Sequence, residues 1–330
     1  MLDLTRGTIF GLDGDTAPTT QWLWHGLLSP GKLTLLTSLW KSGKTTLLAH
    51  LLAQRRRGGD FLDLAVAPGM SLVVSEEPRD LWADRGRRFH LGQEIAVLTR
   101  PFTGRPTFAQ LEQLNAQIIA LKAERGLDLV IFDSLAMFLP ARNENSADVM
   151  VGALAPFLAL ADAGVSVFLL HHPSKGEPPL GQAARGSGAL LASVDIFLEM
   201  RHPGGNPFTR RRKLSAWSRY RETPRQMLIE LSPDGLTYQR LADASDDFHT
   251  SWDTISLVLA AAATPLTRQE IRADWPPGVS KPHDTTLWRW LDRAVELGLA
   301  ERSGRGTKDE PFRYTAQTSL DGLAAAPART

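Results

Sequence analysis

The most constraining feature of the chain is a glycine–lysine–threonine turn, Lys41–Thr46, set between two regular segments. An apolar run, Lys32–Thr37, precedes the turn and predicts a buried strand, and Thr46–Leu52 has a helical pattern. Strand, turn and helix in this order form a phosphate-binding loop, whose backbone N–H groups surround phosphate oxygens. In such a loop Lys44 supplies a positive charge and the Thr45 hydroxyl holds Mg²⁺. The predicted nucleotide-binding residues are Ser42, Gly43, Lys44, Thr45 and Thr46.

One position departs from the usual pattern of these loops. The pattern opens with glycine, and this chain has Ser38 there. Glycine is used because it adopts backbone angles that other residues resist. A glycine–lysine–threonine triplet also occurs by chance in unrelated chains, so the rest of the sequence has to support the interpretation.

Composition bounds the kind of protein that the chain can form. A chain of 330 residues is long enough for about two domains, and 43% apolar residues are enough for a sizeable core. The formal net charge of +1 argues against a strongly basic nucleic-acid-binding coat but allows a local patch. The absence of cysteine excludes disulfides, thiolate zinc sites and a cysteine nucleophile, and the eight histidines show no His-Glu-x-x-His spacing.

No segment predicts secretion or insertion into a membrane. The N-terminus lacks a basic region followed by an apolar run, because Asp3 comes early. The most apolar stretch, Val149–Leu170, is interrupted by Pro156, Asp162 and Gly164, and it predicts a helix followed by a buried strand. We therefore expect a cytoplasmic protein without a membrane partner.

Short apolar runs separated by helical patterns predict an α/β fold, in which helices cover both faces of a mostly parallel sheet. Between Arg210 and Tyr238, short β-like runs leave no room for helices, which predicts an antiparallel extension of the same sheet. The predicted buried strands are Leu33–Thr37, Ser71–Ser75, Leu129–Asp133, Val165–His171 and Val194–Glu199, and Gln226–Leu231 belongs to the extension.

A second, smaller unit is predicted after a small-residue, acidic linker at 244–250. Thr267 and Glu270 have the spacing of a helix capping box. Three helices followed by a hairpin with a glycine-rich tip resemble a winged helix. The predicted boundaries are 1–243 for the first domain, 251–316 for the winged helix and 317–330 for a disordered tail, with helices at Ile255–Ala263, Leu266–Trp275 and His283–Leu299.

Carboxylates follow two of the predicted strands. In a phosphate-loop enzyme, an aspartate placed like Asp133 orders Mg²⁺, and the alternative is a simple turn residue after a buried strand. Glu76 and Glu77 follow Ser71–Ser75, at the strand end where parallel sheets bind ligands. Either glutamate can orient or deprotonate a water molecule that attacks a γ-phosphate, and either can be a solvated charge.

Two histidines end the fourth predicted strand. His171 and His172 stand where a polar group can contact a γ-phosphate, and no other ligand cluster supports a zinc site. The long segment that follows, Pro173–Gly188, carries Lys175 and Arg185 and predicts either a DNA-contacting loop or disorder.

Two arginine-rich segments complete the set of candidate residues. Arg219 and Arg221 lie at a predicted strand edge, where they are either an arginine finger for a neighbouring subunit or part of a solvated basic face. The run Arg210–Lys213 is either a solvated basic face or a contact for a nucleic-acid backbone.

Taken in order, these motifs resemble those of the RecA-like ATPases, especially the branch of RepA-type plasmid helicases and KaiC-like proteins. The resemblance extends over roughly residues 15 to 240, and its specificity lies in the order of the motifs, since each motif is weak alone. The segments that carry it are Lys41–Thr45, Ser75–Pro78, Asp133–Ser134, His171–Lys175, Arg185–Ser187 and Arg219–Arg221.

The resemblance implies roles for individual residues. It implies that Glu76 is the catalytic base, that Arg85 stacks on adenine and that His172 senses the γ-phosphate. It also implies that Arg219 and Arg221 are candidates for the finger. ATP and Mg²⁺ are the implied cofactors, and the implied assembly is a ring, often a hexamer, with ATP at the subunit interfaces.

We therefore expect a Mg²⁺-dependent ATPase that acts on DNA, as a RepA-like replicative helicase of a mobile element. One alternative is a regulatory, ATP-dependent factor that binds DNA or protein without unwinding, and another is an accessory ATPase of recombination. Single-stranded DNA is the expected partner of the core, and duplex DNA is a partner for the winged helix.

The charges of the C-terminal unit leave DNA and protein contacts both open. From Ser245 onward acids slightly outnumber bases, which disfavours non-specific DNA binding. Trp288, Leu291 and Val295 recur at helical spacing and are predicted to be core rather than recognition residues. The wing nevertheless carries a cluster of bases, namely Arg302, Arg305, Lys308 and Arg313.

Overall fold

The larger part of the chain alternates strands with helices. The structure is a computed structural model that describes residues 20–140, 147–173, 188–203, 209–241, 247–307 and 309–317. Its strands are β1 (Leu33–Ser38), β2 (Gly59–Phe61), β3 (Leu64–Val66), β4 (Met70–Ser75), β5 (Ile95–Thr99), β6 (Leu127–Asp133), β7 (Ser166–His171), β8 (Ile196–Arg201), β9 (Arg211–Ser218), β10 (Gln226–Leu231) and β11 (Tyr238–Leu241). Its helices are α1 (Lys44–Arg55), α2 (Arg79–Arg88), α3 (Phe108–Arg125), α4 (Leu135–Phe138), α5 (Ala147–Asp162) and α6 (Gly188–Ala192).

Within the described ranges, one nine-stranded sheet has the order β11-β10-β9-β8-β1-β7-β6-β4-β5, and β2 pairs with β3 in a separate hairpin. The six strands β8, β1, β7, β6, β4 and β5, which are adjacent in this order, are all parallel to their neighbours within the set. The strands β9, β10 and β11 continue the sheet in antiparallel pairs. The predicted α/β fold, with a mostly parallel sheet and an antiparallel extension, is therefore confirmed, and it is consistent with a RecA-like phosphate-loop domain.

The central parallel strands are buried along their whole length because helices cover both of their faces. Every residue of β1, β4 and β7 is buried. Successive residues of β1 point to opposite faces, so Leu36 packs in the cluster that contains Leu48 of α1. Its neighbour Leu35 packs in the cluster that contains Phe157 of α5. Two apolar layers thus fix the sheet between helices on both sides.

Some elements are absent from the sequence-based prediction. The edge strand β5 has no fully buried residue, so its sequence lacks the continuous apolar run that identified the central strands. The strands β2 and β3 have three residues each, which is too short for a periodic pattern. The apolar stretch 149–170 forms most of α5 and β7, with Pro156 inside the helix. In the part of the chain that the structure describes, no helix is long and apolar enough to cross a membrane.

A second unit follows the nine-stranded sheet. It contains α7 (Asp247–Ala261), β12 (Leu266–Thr267), α8 (Arg268–Ala273), α9 (Asp284–Glu296), β13 (Ala300–Ser303) and β14 (Arg313–Ala316). The strands pair antiparallel in the order β12-β14-β13. The capping box of Thr267 and Glu270 is confirmed at the start of α8. Because α7 begins at Asp247, residues 247–250 of the predicted linker are helical; residues 242–246 and 318–330 lie outside the described residues.

One core prediction in this unit is wrong. Trp288 is 44% exposed, whereas Leu291 is buried and Val295 is partly buried. The buried face of α9 is formed by Leu287, Leu291 and Ala294. Trp288 follows Leu287 by one residue, which turns its side chain by about 100° around the helix axis and away from the core.

Candidate active site

Four neighbouring strands end at the same edge of the large sheet and carry most of the predicted site residues. The strands β1, β7, β6 and β4 are adjacent and parallel, so their carboxyl ends meet. Thr37 is opposite His171 in the register, and Ser75 is opposite Asp133. A pocket of about 350 Å³ opens at this edge and is lined by Trp40, Lys41, Ser42, Gly43, Lys44, Thr45, Thr46, Glu76, Glu77, Asp133 and His172.

Hydrogen bonds between side chains of the phosphate loop stabilise its conformation. Lys41 and Gly43 have positive φ angles, 58° and 99°, which glycine adopts freely and which cost lysine about 1–2 kcal/mol. Ser38 is the last residue of the extended strand β1, so the position that departs from the usual pattern needs no glycine. The Ser38 hydroxyl lies 2.6 Å from that of Ser42 and accepts a hydrogen bond from Lys44 Nζ at 2.9 Å. The serine therefore stabilises the loop.

Lys44 is buried at the first position of α1, where the loop satisfies its ammonium group. Its Nζ donates to the carbonyl oxygens of Ser38 and Leu39 at 2.8 and 3.2 Å, and to His172 Nδ1 at 3.1 Å. Burial lowers the pKa of Lys44 from 10.5 to about 8. A negatively charged ligand in the pocket stabilises the charged form of Lys44, which burial disfavours, so the site favours anions.

Thr45 and Asp133 form a pair of oxygen ligands at the floor of the pocket. The Thr45 hydroxyl donates to Asp133 Oδ2 at 3.2 Å, and burial raises the pKa of Asp133 to about 6. Carboxylate and hydroxyl oxygens suit Mg²⁺, which typically takes one or two protein ligands together with phosphate and water. The two residues therefore fit a magnesium ion. Over the described ranges, no group of three or more His, Cys, Asp or Glu side chains is placed to hold another metal.

The two glutamates after β4 have different partners. Glu76 is half-buried, accepts a hydrogen bond from Ser134 Oγ at 3.2 Å, and has its pKa raised chiefly by burial. Glu77 holds the guanidinium of Arg85 through both carboxylate oxygens, one of them at 3.0 Å. Since the charge of Glu77 is already paired, Glu76 is the better placed of the two to act as a base. This difference favours the assignment that the family resemblance implied.

Arg85, which the resemblance implies as an adenine contact, is engaged elsewhere in this structure. It lies in α2, where it pairs with Glu77, and its guanidinium carbon is 4.9 Å from the centre of the Trp82 ring. Arg85 does not line the pocket, whereas Glu77 does. A contact between Arg85 and a base therefore requires that Arg85 release Glu77.

The two histidines after β7 occupy different environments. His171 is buried, and its Nδ1 lies 3.2 Å from the Thr37 hydroxyl. His172 lines the pocket, and its Nδ1 accepts from Lys44 because an ammonium group can only donate. Burial lowers the pKa of both imidazoles to about 4, so both are neutral at neutral pH. Only His172 is placed to contact a ligand.

Arg219 and Arg221 lie at the opposite edge of the sheet. In the antiparallel pairing Ser218 is opposite Ile196, and Ile196 is in turn opposite Thr34, near the start of β1. The phosphate loop follows the other end of β1. Both arginines line a separate groove at their own edge, so they do not take part in the pocket of their own chain. The predicted loop residues Lys175 and Arg185 lie outside the described residues.

Arg212 and Tyr238 support the phosphate loop, a role that no sequence motif predicted for either residue. Arg212 Nε donates to the Ser42 carbonyl oxygen at 2.6 Å. The Tyr238 hydroxyl packs so close to Gly43 that a Cβ at this glycine would lie 3.1 Å from it. Residues of the antiparallel extension thus contact the loop directly.

The run Arg210–Lys213 is not a uniformly solvated basic face. Arg210 is exposed, Arg211 pairs with Glu230 at 3.2 Å, and Arg212 is buried. The alternation of residues in a strand could have predicted this difference. Arg212 is separated from the apolar residues Leu214 and Ala216 of β9 by two and four positions, so all three side chains lie on the same face of the strand, towards the core.

Comparison with known families agrees with this geometry. A family model described as an AAA domain matches residues 4–178, more than half of the chain. The chain belongs to the AAA domain family. The matched part of this AAA domain protein contains the phosphate loop, Glu76, Asp133 and His172, and it ends before Arg219. Membership supports the expectation of a nucleotide-binding ATPase of the P-loop type.

Proposed function

We propose that this AAA domain protein is a Mg²⁺-dependent ATPase of the RepA/KaiC branch of RecA-like proteins, a motor that acts on DNA as a replicative helicase of a mobile element. One observation carries the proposal: a cation, a pair of oxygen ligands, a carboxylate base and a neutral imidazole converge in one pocket. These groups belong to Lys44, Thr45, Asp133, Glu76 and His172.

The phosphate loop supplies the binding step. Backbone N–H groups of the loop and of the first turn of α1 surround the β- and γ-phosphates of ATP. Lys44 exchanges its hydrogen bonds to the carbonyl oxygens of Ser38 and Leu39 for phosphate oxygens. Mg²⁺, when bound to Thr45 and Asp133, neutralises negative charge on the phosphates.

Glu76 supplies the base for hydrolysis. A water molecule attacks the γ-phosphorus and passes a proton to the Glu76 carboxylate. The bond between the γ-phosphorus and the β–γ bridging oxygen breaks, and ADP leaves with the electron pair. The hydrogen bond from Ser134 orients the carboxylate, and the raised pKa of Glu76, which follows from burial, makes it a stronger base than an exposed glutamate.

The hydrogen bonds of His172 depend on whether a phosphate occupies the loop. Its neutral imidazole accepts from Lys44 when the loop holds no phosphate. When Lys44 turns to a phosphate, this contact is lost, and the imidazole is available for a hydrogen bond to the γ-phosphate. The hydrogen bonds of His172 therefore differ between the empty state and the ATP-bound state.

Arg219 and Arg221 support a shared site. Since they lie at the edge opposite the phosphate loop, they can act as fingers only on the γ-phosphate of a neighbouring copy. We propose a ring of copies, with hexamers as the expected size, and ATP at each interface.

A mixing experiment tests the shared site. Arg221→Ala protein and Lys44→Ala protein should each be nearly inactive alone. In a random equal mixture, about a quarter of head-to-tail interfaces join an intact lysine to an intact arginine, so hydrolysis should return in part. The matched control is Arg225→Ala, an arginine of the same groove, which should keep the wild-type rate. Full hydrolysis by a species that sediments as a monomer would contradict the shared site.

We propose that the C-terminal unit is a winged helix, which includes the predicted range 251–316 and begins with α7 at Asp247, after a first domain at 1–243. Its basic cluster is partly neutralised, which favours a second candidate function, a regulatory factor that docks on protein. Arg302 pairs with Asp292 at 2.7 Å, Arg305 with Glu310 at 3.2 Å and Arg313 with Glu270 at 3.3 Å, while Lys308 lies outside the described residues.

Substitution of one ion pair on the wing separates DNA binding from protein docking. If the wing binds DNA phosphates, Arg305→Ala should weaken DNA binding and lower its salt slope by about one unit. Glu310→Gln, which frees the 83% exposed Arg305, should strengthen DNA binding. Fluorescence anisotropy with duplex DNA at several salt concentrations measures both changes. Unchanged affinity and slope in both variants would assign the unit to protein contacts.

The proposed motor function is tested by ATP hydrolysis with and without single-stranded DNA, together with a strand-displacement assay. A motor should hydrolyse ATP faster when single-stranded DNA is present and should separate duplexes. Lys44→Ala protein is the control for contaminating ATPases. Hydrolysis that ignores DNA, with no strand displacement, would support the regulatory factor instead.

A further inference from the structure

Arg212 contacts the back of the phosphate loop from a distant part of the chain. It lies on β9 and is only 8% exposed. Its Nε donates to the Ser42 carbonyl oxygen at 2.6 Å, and one terminal nitrogen donates to the carbonyl oxygens of Thr209 and Arg211 at 2.6 and 2.7 Å. One guanidinium therefore connects the loop to Thr209, just before β9, and to Arg211, the first residue of β9.

The contact bears on the peptide that joins Ser42 to Gly43. In a trans peptide the carbonyl oxygen and the next N–H point in opposite directions. Because Arg212 holds the Ser42 oxygen on the side of β9, the N–H of Gly43 points away from β9, and both residues line the pocket. An N–H with this orientation is a donor for a phosphate oxygen.

Other hydrogen bonds of the loop act on either side of this peptide: the Ser42 hydroxyl donates to the Leu39 carbonyl oxygen at 2.6 Å, and the Gly43 carbonyl oxygen accepts from the Leu47 N–H at 2.9 Å. Gly43 has a φ angle of 99°, a region in which glycine moves freely between several conformations. The Tyr238 hydroxyl packs against Gly43 but is buried without a hydrogen-bond partner among the described residues. Among the described residues, the charge-assisted hydrogen bond from Arg212 acts on the Ser42–Gly43 peptide group itself, through its carbonyl oxygen.

We propose that Arg212 is a positioning residue of the phosphate loop, which orients the Gly43 N–H for binding of the nucleotide phosphates. This proposal rests on the proposed ATPase function and adds a residue that lies outside the usual loop sequence. Arginine suits the role because its planar group reaches acceptors on two sides, whereas the ammonium of a lysine is a compact point charge on a flexible stem.

The C-terminal unit contacts two residues that bind Arg212. Asp253 of α7 accepts from the Thr209 hydroxyl at 3.1 Å and pairs with Arg211 at 3.4 Å. Thr209 and Arg211 are the residues whose carbonyl oxygens receive the remaining hydrogen bonds of Arg212. Arg212 is thus linked, through Thr209 and Arg211, to a carboxylate from outside the nine-stranded sheet.

The test compares Arg212→Lys and Arg212→Gln with the wild type. Affinities for ATP and ADP are measured by calorimetry, KM and kcat by steady-state hydrolysis, and stability by thermal unfolding without nucleotide. Both variants should bind ATP and ADP roughly tenfold to a hundredfold more weakly, the range expected for one lost charge-assisted hydrogen bond. KM should rise by a similar factor while kcat changes little, because the Gly43 N–H serves the ground state and the transition state alike.

The matched control is Arg210→Lys. Arg210 lies two residues from Arg212, is exposed and donates to the Leu231 carbonyl oxygen at 3.1 Å, away from the loop. This variant should keep the wild-type affinity and KM. Wild-type affinity and KM in a folded Arg212→Lys protein would overturn the proposal. The proposal would also be overturned if the variant lowered kcat and the melting temperature but left KM unchanged, because that result indicates a loss of folded, active protein.

Failure of this proposal can be told apart from failure of the proposed function. If wild-type protein binds and hydrolyses ATP and Lys44→Ala protein does not, the ATPase assignment stands whatever the Arg212 variants do. If the wild type binds no ATP, the proposed function fails first.

Discussion

Replacing Lys44 with alanine is expected to abolish nearly all ATP hydrolysis, by a factor on the order of a hundred to a thousand. The reason is that Lys44 is the buried cation of the pocket, and no water can take over its charge at the β- and γ-phosphates. Nucleotide affinity should fall as well, so ATP should no longer raise the melting temperature of the protein. Phosphate release and thermal unfolding with and without ATP measure these effects.

The fold should survive the substitution, although Lys44 is buried. Burial lowers the pKa of Lys44 to about 8, which means that the folded state disfavours its charged form relative to the unfolded chain. Removing the ammonium removes that penalty. The control is Lys32→Ala, at the other end of β1, where a half-exposed lysine lies 3.9 Å from Asp195. Native hydrolysis by the Lys44→Ala protein would show that the phosphate-loop interpretation is wrong.

The second large effect is expected at Glu76. Glu76→Gln keeps the shape of the side chain but removes the base, so turnover should fall on the order of a hundredfold or more. The variant should still bind ATP, and ATP should still raise its melting temperature. Rapid-quench measurement of a single turnover isolates the chemical step.

Glu77→Gln is the matched control for Glu76→Gln. It changes the adjacent carboxylate, which pairs with Arg85 and lines the same pocket. Its effect on the single-turnover rate should be milder, because Glu77 is already neutralised by its partner. Equal losses at both positions, or a larger loss at Glu77, would transfer the role of the base to Glu77 or to the pair.

The sequence predicted the parts of the site that follow strands of the parallel sheet. Asp133 is the last residue of an apolar strand and Glu76 directly follows another, and such strands place their carboxyl ends together. The choice between Glu76 and Glu77 needed the structure, because it depends on where Arg85 of α2 places its guanidinium. Local patterns carry no information on such a pairing.

Contacts between distant segments could not be predicted. Arg212 lies 170 residues after Ser42, and only the antiparallel order of the extension brings the two together. The exposure of Trp288 depended on which of two adjacent helix positions faces the core, a difference that apolar spacing did not resolve. The capping box at Thr267 was predictable because both of its hydrogen bonds are local.

The placement of Arg219 and Arg221 at the edge opposite the phosphate loop has a consequence for symmetry. Two different surfaces would have to meet at every shared site, so the contact would be head-to-tail rather than between identical patches. A head-to-tail contact closes into a ring or continues as a helical filament, depending on the rotation between neighbours. In a closed ring every site is complete, whereas a filament has one terminal site without its arginines. The hydrolysis rate per chain would then rise with filament length and become constant once rings close.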